Sequence, residues 1–212
     1  MTAIRNLVVA LVLLGLVAGG LFEWWNLDLR WRPHTITRNQ AEIAKLLQAS
    51  GWVSPGLSGP KLYLVTYHDD FDAARYQQSE FPRLQAAGVD TRVIAIARPD
   101  VNGQAKSVPT ERSTVAELWV NRSWDLYQKW AAAPAESWSA KGIPVADGDV
   151  ARSAVVEVGR DTIDRLTPSL KANGVGFAYP TLIWWAKDGT MKGLADVKPQ
   201  AYAAIRADLG AK

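Results

Sequence analysis

The densest set of chemically capable side chains is the run His68-Asp69-Asp70-Phe71-Asp72. One imidazole and three carboxylates this close together could ligate a hard metal ion, divide acid and base roles, or cap a helix. An EF-hand loop would need a central glycine and a downstream glutamate, and both are missing here. The second histidine, His34, is remote in sequence, so no metal and no other cofactor is expected. Acid–base work by Asp69 and Asp70 requires environments that push their pKa values apart, which a sequence does not display. Capping requires less: a carboxylate at the start of a helix beginning at Phe71 accepts from free amides and complements the helix dipole. Asp69 or Asp70 is expected in that role. The chain has no cysteine, which excludes thiolate catalysis, disulfides and cysteine-bearing zinc sites.

Composition narrows the function classes further. The 212 residues are 48% hydrophobic and 21% charged, sufficient for one domain with a substantial core and a short appendage. The 24 basic and 21 acidic residues are intermixed, for a net charge of +3. No basic stripe marks a nucleic-acid footprint, and nucleic acid is not an expected partner. Ten tryptophans suit a packed core first, and protein or membrane interfaces second.

Leu7 to Phe22 is an uninterrupted apolar run behind the single charge of Arg5, the pattern of an export signal. Ala18-Gly19-Gly20 offers small residues for cleavage, but the apolar character resumes at Leu21 and Phe22. Trp24 and Trp25 then stand where an aromatic belt marks a membrane interface. Residues 1–25 are therefore expected to remain as a single-pass anchor, N-terminus inside, with cleavage and release as the alternative. The span to Trp25 only just reaches the roughly 20 residues that cross a bilayer.

The remaining elements must position the acidic run. Residues 26–60 read as a juxtamembrane stretch, a short helix from about Thr37 to Ala49, and a Gly/Pro/Ser linker over 51–60. From Lys61 the pattern is strand (Leu62 to Tyr67), helix (Phe71 to Ala87) and strand (Asp90 to Ala97), which implies a right-handed crossover and a parallel pair. Pro82 is expected to kink the intervening helix. An insertion over about 99–172 carries a helical region from Glu111 to Ala133 and a second helix from Val150 to Ala172. Pro180 to Ala186 is a strand, Lys187-Asp-Gly-Thr190 a hairpin turn, Met191 to Leu194 its partner strand, and Pro199 to Leu209 a closing helix.

In that order, three local features carry a resemblance. The strand-to-helix turn Val65 to Ala73, the segment Tyr179-Pro180-Thr181-Leu182-Ile183, and the hairpin Lys187 to Gly193 together resemble the thioredoxin superfamily, most closely its periplasmic disulfide isomerase and oxidase branch, the Dsb-like proteins. The resemblance covers about Lys61 to Leu209. It implies an α/β, thioredoxin-like fold: a central mixed sheet with a helical insertion between its β-α-β and β-β-α halves, here behind an N-terminal transmembrane helix. It aligns Asp70-Phe71-Asp72-Ala73 with the Cys-x-x-Cys turn, so that Asp70 and Ala73 occupy the cysteine positions. It also implies a cis Tyr179–Pro180 bond beside a groove that receives extended peptide. The departure decides the chemistry, because exchange proceeds through a thiolate. No thiol-disulfide oxidoreductase activity is expected.

Candidate binding residues are Tyr179 and Pro180 at this groove, and Trp124, Trp130 and Trp138 in the insertion. Leu118, Trp119, Leu126, Tyr127 and Trp130 fall at helical spacings that pack the insertion on the sheet. The tryptophans together exceed what a small helical cap buries, which suggests a partner surface. The expected function is that of a redox-inactive, membrane-anchored, periplasm-facing binding or scaffolding subunit of an inner-membrane or envelope assembly. The alternatives are a periplasmic peptide-holding chaperone using the Pro180 groove, and a non-thiol enzyme or metal site at His68 to Asp72.

Overall fold

Leu62, Tyr63, Leu64 and Val65 are all buried, so the strand that carries them has no solvent face; the reason is its place in the sheet. In the computed structural model, which describes residue 11, residues 13–22 and residues 31–212, this strand, β2 (Lys61–Thr66), is flanked on both sides. It pairs in parallel with β3 (Asp90–Ala95) and antiparallel with β4 (Thr181–Trp185). A strand covered on both faces reads as a continuous apolar run rather than an alternation. Beyond β4 lie β5 (Met191–Ala195) and the short β1 (His34–Thr35), each antiparallel to its neighbour, giving the order β1-β5-β4-β2-β3. The β4–β5 turn is set by Asp188, whose carboxylate accepts from Thr190 N at 2.9 Å, and by Gly189 at φ 81°.

The helices in chain order are α1 (Gln40–Ala49), α2 (Phe71–Ala86), α3 (Pro109–Asn121), α4 (Trp124–Ala132), α5 (Val150–Lys171) and α6 (Pro199–Leu209). The β2-α2-β3 half, the insertion α3 to α5, and the β4-β5-α6 half follow the arrangement that the resemblance implies. α6 starts on Pro199 and stops on Gly210 at φ 72°, the terminal residues that fit each end of a helix. It packs on α2 through Tyr202 against Tyr76, ring centroids 5.0 Å apart, and through Arg206 to the buried Glu80 at 2.7 Å.

Several boundaries differ from expectation. The helical region from Glu111 to Ala133 is two helices, because Arg122 turns to φ 51° and Ser123 caps α4 by accepting from Leu126 N at 3.2 Å. α1 begins at Gln40 rather than near Thr37, whose amide instead donates to Asn173 Oδ1 at 2.8 Å. α2 runs through Pro82 to Ala86, as the expected helix does. The segment read as a linker is docked: Val53 and Val93 exchange backbone bonds of 2.9 and 2.8 Å, and Asp90 N donates to Pro60 O at 2.8 Å. Accordingly Pro33–Lys212 forms one compact unit and Met1–Arg32 another.

In the first unit residues 13–22 are helical, and Leu13, Leu14, Leu16, Val17, Leu21 and Phe22 are exposed. Among the described residues no helix is long and apolar enough to cross a membrane. Part of the expected span, and Trp24 and Trp25, lie outside the described residues.

Docking of residues 51–60 gives a direct prediction. A Cβ on Gly51 would lie 2.5 Å from the Trp119 Cα, a backbone atom that cannot step aside. Gly51→Ala should therefore destabilise the fold by about 1–3 kcal/mol, as overpacking does, in urea unfolding followed by tryptophan fluorescence. An unchanged midpoint would mean that the segment is loose.

Candidate functional site

The acidic run is the joint between β2 and α2, and its carboxylates diverge. Asp70 is the N-cap of α2: Oδ1 accepts from Ala73 N at 3.0 Å, and Oδ2 from Thr66 Oγ1 at 3.0 Å. At 5% exposure, burial pushes the Asp70 carboxyl up, while the bonds from Ala73 and Thr66 work against that rise. Asp72 points elsewhere and pairs with Lys198, which also reaches Asp196 at 2.9 Å. Of the two aspartates expected as caps, Asp70 has the role. Among the described residues no group of three or more acidic or histidine side chains could hold a metal ion. Ala73 is buried in the first turn, and Phe71 between the two is 70% exposed, with the Arg75 guanidinium 4.9 Å from its ring centre.

The Tyr179–Pro180 bond is cis, and its loop lies beside this turn. Tyr67, the residue after β2, meets Tyr179 edge-on at 5.3 Å, and Phe177 meets Tyr179 at 5.2 Å. The Arg98 guanidinium sits over the Tyr67 ring, 3.7 Å from its centre. Burial pushes the Tyr179 hydroxyl up to about 12. The face next to the turn is therefore aromatic with one cation, and Pro180 is buried beneath it.

Glu111, in the first turn of α3, escapes a reading based on sequence alone, where it is merely an acid near a helix start. It is 7% exposed, and its Oε1 has no hydrogen-bond partner. Burial pushes the carboxyl up to about 7; Arg98 and the backbone amides of Val108 and His68 oppose the shift, and the charge of Asp69 adds to it. The insertion thus places a poorly solvated acid against the turn.

The tryptophans of the insertion divide by burial. Trp130 is 1% exposed; it packs as core, stacked on His68 at 4.5 Å, and its backbone carbonyl accepts from His68 Nε2 at 2.8 Å. Trp138 is half-buried and donates Nε1–H to Thr114 Oγ1 at 2.8 Å. Trp124, also half-buried, stacks on Tyr127 at 5.4 Å. Trp124 and Trp130 line a cavity of about 320 Å³ between α2 and α4, whose floor includes Thr66 and Asp70. His68, Trp130 and the turn are brought together by tertiary contact across 62 positions, a pairing with no local sequence signal.

No protein-family model matches the chain, and no curated protein matches it. Three solved structures of Proteus mirabilis ScsC are similar to it. The protein in a compact conformation is 12% identical, with a TM-score of 0.48 over 99% of this chain and 96% of that one. Its catalytic domain is also 12% identical, with a TM-score of 0.48 over 80% and 94%. A linker-deletion mutant is 14% identical, with a TM-score of 0.49 over 97% and 93%. At such identities the likeness is one of shape alone.

The raised Glu111 carboxyl fixes the sign of a pH dependence. The folded protein holds this proton up to about pH 7, whereas the unfolded chain releases it near the model-peptide value of about 4.3. Stability from this group is full below the lower value and is lost as pH rises through about 7. Glu111→Gln should flatten that decline and stabilise the protein by roughly 3 kcal/mol at pH 8. Urea unfolding of both proteins at pH 5 and pH 8 checks this, and parallel pH slopes would contradict it.

Proposed function

We propose that this chain is a redox-inactive, Dsb-like member of the thioredoxin superfamily that works as a binding subunit. The observation that carries the reading is the first turn of α2. Asp70 and Ala73, aligned with the two cysteines, are buried and taken up by the fold, while Phe71 between them is exposed, and Tyr67 just before the turn meets Tyr179 of the cis Tyr179–Pro180 loop. Thiol–disulfide exchange is excluded by chemistry, since a carboxylate cannot form the mixed disulfide and the chain contains no cysteine. A recognition face has other requirements, namely exposed aromatic surface and an accessible backbone edge. Phe71 supplies exposed aromatic surface, with half-buried edges from Tyr67 and Tyr179, and the resemblance implies the backbone of Tyr179 for the second.

The apolar run from Leu7 to Phe22 supports a membrane anchor, and the resemblance supports a periplasmic domain and a place in an inner-membrane or envelope assembly. Trp130, being core, is left out of the partner surface; Trp124 and Trp138 stay in it only through their half-exposed edges. The second reading, a chaperone that holds extended peptide, rests on the same loop and differs in having transient clients. A non-thiol enzyme at the acidic run is less well supported, because Asp70 and Asp72 are already bonded within the fold.

The function is tested by purifying the full chain from native membranes in mild detergent. A stoichiometric partner retained by the wild type and lost in Phe71→Ala is expected; capture of varied clients without a fixed complex would favour the chaperone. The assignment of the turn has its own test. Asp70→Cys with Ala73→Cys places two sulfurs one helical turn apart, within reach of a disulfide, with the first thiolate favoured by the helix N-terminus. The oxidised double variant should form an intramolecular disulfide and gain reductase activity that the wild type lacks. Two free thiols in a folded protein would show that the alignment is displaced.

A further inference from the structure

Tyr179 also lines a cavity of about 510 Å³ between α5 and the chain leaving β3. The buried Ile96 and Ile163 give it an apolar floor, with Phe177 beside them. Three cations and three acids complete the lining, and they are not equally engaged. Arg160 pairs with Glu157 at 2.6 Å and donates to the Ala97 and Arg98 carbonyls at 3.0 and 3.1 Å, so this pair belongs to the fold. The other four charges have no ion pair among the described residues. Arg98 is half-buried with its guanidinium on Tyr67; its Nε is buried without a partner, and its terminal nitrogens are neither buried nor bonded. Lys106 makes one long bond, 3.4 Å to Gln104 Oε1. Asp161 and Asp164 are exposed and lie three positions apart on α5, which puts them on one helix face.

Resting on the reading of the chain as a binding subunit, we infer that this cavity takes an extended segment of the protein partner that carries an acidic and a basic side chain two residues apart. The acid meets Arg98 and Lys106, and the base meets Asp161 and Asp164. Charge complementarity selects this occupant. A wholly acidic segment would face the two aspartates, a wholly basic one would face Arg98 and Lys106, and an uncharged one would leave the guanidinium without an acceptor. An arginine fork matches a carboxylate in both geometry and charge. In an extended chain, side chains two residues apart point to the same face, the closest spacing that presents both signs together. Their methylene stems cover Ile96, Ile163 and Phe177 while the charged ends stay at the rim. The Tyr179 hydroxyl is lowered by the Arg98 charge and raised by that of Asp164, so both signs stand near this residue. The cavity therefore adjoins the proposed recognition face at Tyr179.

The test titrates the full chain, held in a maltoside detergent at neutral pH and labelled at the isoleucine methyl groups, with end-blocked peptides followed by NMR. The probes are acetyl-Ala-Glu-Ala-Lys-Ala-amide and its two relatives with glutamine in place of the glutamate or of the lysine. The mixed peptide should give saturable shifts at Ile96 and Ile163 and bind roughly tenfold more tightly than either relative. Arg98→Gln should make the mixed peptide no better than the one without glutamate. Asp161→Asn with Asp164→Asn should make it no better than the one without lysine; these exposed positions keep the test decisive if the Arg98 variant does not fold. No saturable shift by about 50 mM, equal binding of all the peptides, or a folded Arg98→Gln protein with the preference unchanged would overturn the inference. Partner retention separates it from the reading beneath it. A copurified partner lost in Phe71→Ala, together with charge-blind peptides, would sink the inference alone, whereas charge-selective peptides with no retained partner would uphold the site and sink the binding-subunit reading.

Discussion

The Asp70 carboxylate ties the last residue of the central strand to the first turn of the crossover helix, with Thr66 Oγ1 on one oxygen and Ala73 N on the other. Much of the site follows from that bridge. It fixes where α2 begins, so Phe71 faces outward, Ala73 faces the core, and Asp72 meets Lys198 near the start of α6. It sets the level at which Tyr67 meets Tyr179 and at which His68 stacks on Trp130. A cap of this kind contributes about 1 kcal/mol, which is small against the core, but its geometric consequence is large. In the alignment that the resemblance implies, it stands where a reactive thiolate would be, and here it serves as a structural joint.

The polar groups around this joint are uneven. Asp70 is satisfied by its bonds, whereas Glu111 has an oxygen, and Arg98 its Nε, buried without a partner. Both stand against the Tyr67 and His68 segment. An acid held near neutrality by burial destabilises the folded state at higher pH, and incompletely satisfied polar groups tend to collect at functional surfaces rather than in passive core. The aromatic face of Tyr67, Tyr179 and Phe177 thus has incompletely satisfied polar groups next to it.

The half of the fold legible in the sequence is the part ruled by local patterns. The apolar run Leu62 to Val65, the Asp188-Gly189 turn, Pro199 and Gly210 each mark an element through a residue whose backbone or burial preference acts locally. Asp70 as a cap is legible for the same reason. The break at Arg122 and Ser123 is signalled only by the capping serine, since Arg122 has no sequence mark for its positive φ. Residues 51–60 have a linker's composition, yet Gly51 and Gly59 are there because Trp119 and Gly88 approach too closely for a side chain. Glu111 beside the turn, and Trp130 beneath His68, arise from packing between distant segments, which no local period encodes.

The central claim is that the turn and the Pro180 loop form a recognition face in place of a redox centre. Amide hydrogen exchange of the full chain, alone and with its copurified partner, tests it at the residues concerned. The account predicts that the partner slows exchange at residues 67–73 and 178–181 while the backbone of β1 and the β4–β5 turn is unaffected. Protection confined to other surfaces, with the turn exchanging at the same rate in both states, would contradict it.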